Sequence, residues 1–84
     1  MYRIKLTARA KKELKLLKRT HQVAILAALE DIKDKPLVYG KPLQRQLKGK
    51  YSYKLSVYRI IYTIHKKDNR IYILTVGHRS KVYD

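Results

Sequence analysis

Two cations, Lys54 and Arg59, stand close together on a segment that the sequence predicts to be a β-hairpin. Residues 51 to 64 read YSYKLSVYRIIYTI, a run rich in strand-forming side chains. The predicted parts are the strands Tyr51–Leu55 and Tyr58–Ile64 and the turn Ser56-Val57. Lys54 then faces Arg59 across the hairpin. Because two cations so placed repel each other, the arrangement favours an anion between them, and phosphate is the obvious candidate.

The cations and tyrosines of this chain suit phosphodiester chemistry on RNA, in which the 2′-hydroxyl is an internal nucleophile. The protein must then orient the phosphate, stabilise its negative charge and move protons. Arg59 and Arg79 can hold the phosphate with paired donors. Lys54 can neutralise the developing charge, or act as the base if its cationic neighbours favour its neutral form. Tyr83 or His78 can handle protons, and either ring can stack on a base.

The charge of the chain points to a polyanionic partner. A formal net charge of +15 on 84 residues is extreme, and it is spread over the sequence. Residues 1–40 carry ten cations and four acids, giving +6, and residues 41–84 carry eleven and two, giving +9. The length predicts one domain, residues 1–84, with a single modest core.

Several classes of protein are disfavoured by what the sequence lacks. There are no cysteines, so disulfides and thiolate metal sites are excluded. The three histidines, His21, His65 and His78, are far apart and no two carboxylates fall at ligand spacing, so no metal is expected. With three glycines there is no nucleotide-binding motif, and no cofactor is expected. No apolar run approaches the ~20 residues that span a bilayer, so we expect a soluble, cytoplasmic protein.

Hydrophobic periodicity predicts the order β-α-α-β-β-β. Tyr2–Leu6 alternates as a half-buried strand, and Thr7 is a plausible N-cap for a helix from Ala8 to about Lys18. Thr20 is the predicted N-cap of a second helix, which runs to about Lys35 and ends before Pro36. Arg70–Val76 has apolar residues on both faces and is predicted to be a central strand. The fold class is therefore α+β, a helical hairpin packed on a small, mostly antiparallel twisted sheet.

Residues 37–50 are predicted to form a basic loop with one short helical turn around Leu43–Leu47. The candidate RNA-binding residues of this loop are Arg45, Lys48 and Lys50, to which His78 and Lys81 are added from the end of the chain. For the outward-facing lysines of the first helix, an ordinary solvated surface and a phosphate-binding surface are both open; these are Lys11, Lys12, Lys15 and Lys18.

Four pieces of the sequence resemble the RelE/ParE superfamily of bacterial and archaeal toxins. They are Leu47-Lys48-Gly49, Tyr51-Ser52-Tyr53-Lys54, Tyr58-Arg59-Ile60-Ile61-Tyr62 and the final Val76-Gly77-His78-Arg79-Ser80-Lys81-Val82-Tyr83. The resemblance covers essentially the whole chain. It implies a RelE-like fold, a metal-independent endoribonuclease that cleaves mRNA in the ribosomal A site, and a cognate antitoxin that covers the basic site.

By position in the family pattern, the resemblance implies a catalytic set. Lys54 is similar to the strand cation, Arg59 to the phosphate-binding arginine, Arg79 to the second arginine and Tyr83 to the C-terminal tyrosine. His78 falls where some members have histidine and others lysine. The expected partners are therefore an antitoxin, the ribosome and mRNA.

Two other functions stay open. One is a ParE-like inhibitor of DNA gyrase, a class that tends not to keep the arginine-plus-tyrosine set. The other is a ribosome- or RNA-binding module without catalysis, which needs only the charge. The second stays open because Ser56 stands where some relatives carry a further strand cation.

Overall fold

A computed structural model describes residues 2–78 of the chain. In chain order, the elements are β1 Arg3–Leu6, α1 Ala8–Lys15, α2 Arg19–Asp34, α3 Pro36–Tyr39, β2 Lys41–Pro42, the 3₁₀ turn Arg45–Leu47, β3 Lys50–Leu55, β4 Tyr58–His65 and β5 Arg70–His78. Over this range no helix is long and apolar enough to cross a membrane.

The strands form one five-stranded sheet in the order β1-β5-β4-β3-β2. β1 runs parallel to β5, and the other three pairings are antiparallel. The predicted α+β class and the mostly antiparallel sheet are confirmed. β5 is an interior strand between β1 and β4, which explains the apolar residues on both of its faces.

The helices cover one face of the sheet. The core contains Ala10, Ile25, Ala28, Leu29, Ile32, Ile60, Tyr62, Ile71, Ile73 and Val76. Tyr62 is the largest of the fully buried side chains, and its hydroxyl donates to the carbonyl oxygen of Pro36 at 2.6 Å. Burial raises the pKa of Tyr62 well above its ordinary value, so the hydroxyl stays protonated and donates at any physiological pH.

Thr7 caps α1 as predicted, because its hydroxyl oxygen accepts from the amide of Ala10. The helix stops at Lys15, three residues earlier than expected. The side-chain amide of Gln22 in α2 donates to the last two carbonyl oxygens of α1, those of Leu14 and Lys15, at 3.1 and 3.3 Å, and to that of Leu17 just beyond the helix at 3.0 Å.

The predicted cap at Thr20 is wrong. α2 begins at Arg19, Lys18 occupies the N-cap, and no side chain among residues 2–78 caps this end with a hydrogen bond. α2 ends at Asp34. Pro36 does not simply stop it but occupies the first turn of α3, where the fixed φ of proline suits a helix start.

Residues 37–50 are more regular than the predicted loop. They contain most of α3 and the two-residue strand β2, which pairs Lys41 with Ser52 and Pro42 with Tyr51. The short helical turn is present as the 3₁₀ segment Arg45–Leu47.

Candidate functional site

Lys54 and Arg59 lie directly opposite each other on β3 and β4, as predicted. The amide of Leu43 donates to the carbonyl of Lys50 at 2.9 Å, so alternate β3 residues from Lys50 onward direct their backbone groups away from β4. Lys54 and Arg59 are therefore a non-hydrogen-bonded pair, the kind in which opposite side chains approach most closely, at about 4.5–5.5 Å between Cβ atoms.

The turn that joins these strands is Ser56-Val57, also as predicted. Ser56 has a φ of 56°, which the primed hairpin turns require at their first central position. The tight turn holds the register, and the register holds the two cations side by side at the end of the hairpin.

The pair differs in exposure and in contacts. Lys54 is exposed, and among residues 2–78 no carboxylate lies within ion-pair distance of its ammonium. Arg59 is half-buried, and its Nη1 donates to the hydroxyl of Ser52 at 3.5 Å. Ser52 thereby helps to aim the guanidinium, while Lys54 keeps its donors available to a ligand.

The cation pair continues onto β5, because Arg59 is in register with Gly77. Cross-strand partners share a face, so Lys54, Arg59 and Gly77 form one row on the face turned away from the helices. The chain leaves β5 at this end of the sheet. The predicted site residues Arg79, Lys81 and Tyr83 lie outside the described residues.

His78 is placed on the other side of the same sheet end. It pairs with Tyr58, and the two ring centroids are 6.3 Å apart in an edge-to-face arrangement. The Tyr58 hydroxyl lies 2.7 Å from Nδ1 of His21 in α2. His78 is thus next to an aromatic and imidazole cluster, whereas Lys54 and Arg59 are on the open face.

The three predicted cations of the β2–β3 connection are brought together. Arg45, Lys48 and Lys50 line one open cleft of about 480 Å³. This cleft shares Pro42 and Leu43 with a second one that contains Lys54 and Arg59. The two groups of cations are therefore neighbours on the surface.

Glu13 secures the end of β5 that leads to this site. The pairing of β1 with β5 ends before Val76. Beyond that point the Glu13 carboxylate, rather than a strand, accepts hydrogen bonds from β5: from the Val76 amide at 3.1 Å and from the Thr75 hydroxyl at 2.7 Å. Arg9 approaches the same carboxylate at 3.4 Å. The position of Gly77 and His78 therefore depends on Glu13.

We expect Glu13→Ala to lower the free energy of unfolding by about 1–3 kcal/mol, because a partly buried amide and hydroxyl lose their acceptor. Glu13→Gln should lose less, since an amide oxygen can still accept. Glu30→Ala is the matched control: Glu30 is exposed and its pairing with Lys33 at 3.8 Å should contribute less than ~0.5 kcal/mol. Urea unfolding measures all three, and equal losses for Glu13→Ala and Glu30→Ala would contradict the role given to Glu13.

Sequence reasoning missed His21 and Tyr39, the tyrosine of α3. His21 meets Tyr58 across 37 residues of chain. The Tyr39 ring packs edge-on against Tyr53, with centroids 5.9 Å apart. No local sequence pattern predicts the contact of His21 with Tyr58 or that of Tyr39 with Tyr53. The only signal in the sequence is that His21 and Tyr39 are aromatic rings within a predicted helix and a predicted loop.

Comparisons with known proteins agree with this architecture. The family described as ParE toxin of type II toxin-antitoxin system, parDE, matches residues 4–83. Toxin RelG of Mycobacterium tuberculosis is 35% identical over 83 residues, covering 98% of this chain and 95% of that protein.

Two solved structures extend the comparison. The toxin–antitoxin complex RelBE2 of M. tuberculosis contains a chain with a TM-score of 0.87 and 34% identity, covering 93% of this chain and 98% of that one. The isolated Escherichia coli RelE toxin matches with a TM-score of 0.80 and 26% identity, covering 99% and 92%. This chain belongs to the RelE/ParE superfamily of toxins from type II toxin–antitoxin systems.

Proposed function

We propose that this toxin is a ribosome-dependent endoribonuclease that cleaves mRNA in the A site. The observation that carries the proposal is the Lys54–Arg59 pair, two cations held in register at the exposed end of a hairpin. Like charges directly opposite each other destabilise a sheet. The presence of both cations at this position is explained if a phosphate binds between them.

The proposed reaction is attack of the RNA 2′-oxygen on the adjacent phosphorus. The new 2′-O–P bond closes a 2′,3′-cyclic phosphate, and the P–O5′ bond breaks. A base takes the proton of the 2′-hydroxyl, and the departing 5′-oxygen receives a proton. Arg59 and Arg79 would hold the phosphate and Lys54 would stabilise the charge that develops on it. Tyr83 is the candidate for proton transfer and stacking, because the ring of His78 lies on the opposite face of the sheet from the cation pair, beside Tyr58.

The charge and fold support the proposed partners. The ribosome and mRNA supply phosphates in the cytoplasm, where translation takes place. A cognate antitoxin is also proposed, because the similar chain of M. tuberculosis comes from a toxin–antitoxin complex. Such a partner would cover the cations of the hairpin and of the cleft at Arg45, Lys48 and Lys50.

Inhibition of DNA gyrase is the second candidate, and the ParE description of the matching family favours it. The two functions are separated by parallel assays. The nuclease proposal expects mRNA cleavage in a purified translation system and unchanged supercoiling by gyrase. Loss of supercoiling with intact mRNA would reject it in favour of gyrase. Stalled ribosomes on intact mRNA would instead indicate a binder without catalysis.

The role of Lys54 can be separated into charge and proton transfer. We expect Lys54→Ala to lower the rate of mRNA cleavage by about 100-fold, the effect typical of losing one charge-stabilising donor. If Lys54 acts by charge, Lys54→Arg should retain most of the rate. Single-turnover cleavage on programmed ribosomes measures this. A rate for Lys54→Arg as low as for Lys54→Ala would instead favour Lys54 as the base.

Binding to ribosomes is expected to weaken steeply as salt is raised, because cations of the protein displace counterions from RNA. Each phosphate contact contributes about 0.7–0.9 to the slope of log affinity against log salt. Lys48→Ala should lower that slope by about 1, and Lys66→Ala, in the turn at the opposite end of β4, should not. A flat salt response would contradict a phosphate-dominated contact.

A further inference from the structure

The Lys54–Arg59 pair borders a cleft to which the proposed reaction assigns no role. This cleft, here called the edge cleft, has a volume of about 370 Å³. Six of the residues that line it carry the argument: Tyr39, Lys41, Ser52, Tyr53, Lys54 and Arg59.

The edge cleft exists because the ladder between β2 and β3 is short. β2 has two residues, and its pairing ends where Lys41 faces Ser52. Before Lys41 the chain passes through Gly40 into α3, so no strand continues beside β3 in the described part of the chain. The next residue of β3 whose backbone is directed to this edge is Lys54. Within residues 2–78, its amide and carbonyl therefore have no strand partner on this edge and border the cleft as a donor and an acceptor.

An aromatic ring stands beside this opening. The Tyr39 ring packs against the Tyr53 ring, with their centroids 5.9 Å apart and their planes at 81°. Tyr39 is nevertheless 41% exposed. The position of Tyr39 is also held by its neighbour Gly40, which lies against the buried Tyr62. The Tyr39 ring thus packs against Tyr53 and still leaves part of its surface exposed.

The remaining wall is cationic. Lys41 and Lys54 are exposed, and Arg59 is half-buried. A concave site with an exposed ring, one backbone donor and acceptor pair, and cations at its rim matches the way in which single-stranded RNA bases are bound outside a helix. The free backbone at Lys54 is too short to pair with an added strand of a protein.

We propose that the edge cleft binds one unstacked nucleobase of the RNA, with its ring on Tyr39 and its hydrogen-bonding edge toward the backbone of Lys54. The inference rests on the proposed function, because the adjoining phosphate is the one that Lys54 and Arg59 would hold. It assigns Tyr39 as a base-contacting residue and gives the protein a means of discriminating between bases next to the cut.

Photocrosslinking of the wild-type protein tests this without relying on a variant. Short single-stranded RNAs that carry one 5-iodouridine at successive positions are irradiated with the protein, and the crosslinked peptides are identified by mass spectrometry. We expect one position to crosslink to Tyr39 preferentially. Crosslinks confined to other residues would overturn the proposal.

Affinity measurements with the same RNAs, unlabelled, give a second test. Tyr39→Ala should weaken binding by roughly 5- to 100-fold, the range measured for loss of one base–aromatic contact, without changing the salt slope. Tyr39→Phe should bind like the wild type. Val38→Ala is the control, since Val38 is on the same helix, is 73% exposed and does not line the cleft. Circular dichroism confirms that each variant is folded.

The outcomes distinguish this proposal from the proposed function. If Tyr39→Ala binds RNA like the wild type while Lys54→Ala weakens binding and lowers the salt slope, the base site is rejected and the phosphate contact stands. The crosslinking is repeated with 5-iodouridine in an mRNA on programmed ribosomes. Cleavage of that mRNA without a crosslink to Tyr39 would reject the base site alone, and absence of both ribosome binding and cleavage would reject both proposals.

Discussion

Replacing Arg59 by alanine is expected to lower the rate of ribosome-dependent mRNA cleavage by about 100- to 1,000-fold. Arg59 is held by the register opposite Lys54 and by its contact with the Ser52 hydroxyl, so its guanidinium is positioned before a substrate arrives. Preorganised donors at a reacting group contribute rate factors of this size. Expression of the variant in cells should accordingly no longer arrest growth.

The matched control is Arg70→Ala. Arg70 is also an arginine at a strand end, but it begins β5 and pairs with His65 at the opposite end of the sheet. Both variants remove one positive charge, so a general effect of charge on ribosome binding would appear in both. Comparable losses of cleavage for Arg59→Ala and Arg70→Ala would contradict a specific phosphate role for Arg59, provided that thermal unfolding shows both proteins folded.

Replacing Gly40 by alanine is expected to destabilise the fold by about 3 kcal/mol or more. A β-carbon at this position would overlap the hydroxyl oxygen of Tyr62 and lie 2.6 Å from its Cζ. Tyr62 is fully buried and cannot move aside, so both overpacking and loss of its hydrogen bond to Pro36 contribute. For a domain of this size the midpoint of thermal unfolding should fall by roughly 10–25 °C.

A double-mutant cycle separates these contributions. Tyr62→Phe alone should cost about 0.5–1.5 kcal/mol, because the Pro36 carbonyl loses the hydroxyl donor and keeps the Gly40 amide at 3.3 Å. Gly40→Ala should then cost less in the Tyr62→Phe background than in the wild type, since the overlapping oxygen is gone. If the two losses in the free energy of unfolding are additive, the Tyr62 hydroxyl is not what excludes a β-carbon at Gly40. The control is Leu37→Ala on the exposed side of α3, with an expected change within about 0.5 kcal/mol.

The hairpin and its cation pair were predictable because their signals are local. Strand-forming residues, a two-residue turn and the alternation of side chains determine that Lys54 faces Arg59, and the register confirms it. The capping of α1 by Thr7 is predictable for the same reason, since a hydroxyl three residues before an amide is sufficient.

The features that were not predicted depend on contacts between distant residues. α1 ends early because the side-chain amide of Gln22, in the next helix, donates to carbonyl oxygens at and just beyond its end. The hydrophobic periodicity of the sequence, by contrast, continues to Lys18. Plain alternation places Val76 on the face opposite Ile73. The register shift between Ile61 and Tyr62 adds a residue to β5 and brings Val76 into the same core.

The candidate site likewise contains some features that the local sequence predicts and others that depend on contacts between distant residues. The type and spacing of residues predicted that Lys54 lies opposite Arg59, and their binding of a phosphate stays a prediction. The cluster of Arg45, Lys48 and Lys50 was named residue by residue from the same signals. They did not predict the edge cleft, which depends on where β2 stops and on how α3 presents Tyr39. The resemblance to the toxin superfamily supplied the roles of Arg79 and Tyr83, which lie outside the described residues and remain predictions.

The most direct test of the central claim is the position and chemistry of mRNA ends produced by the purified protein. A defined mRNA is translated on purified ribosomes, the cuts are mapped by primer extension, and the new 3′ ends are identified by mass spectrometry. We expect cuts inside A-site codons that require the ribosome, with 2′,3′-cyclic phosphate ends that Arg59→Ala does not produce. Intact mRNA, or ends without a cyclic or derived phosphate, would contradict attack by the RNA's own 2′-hydroxyl.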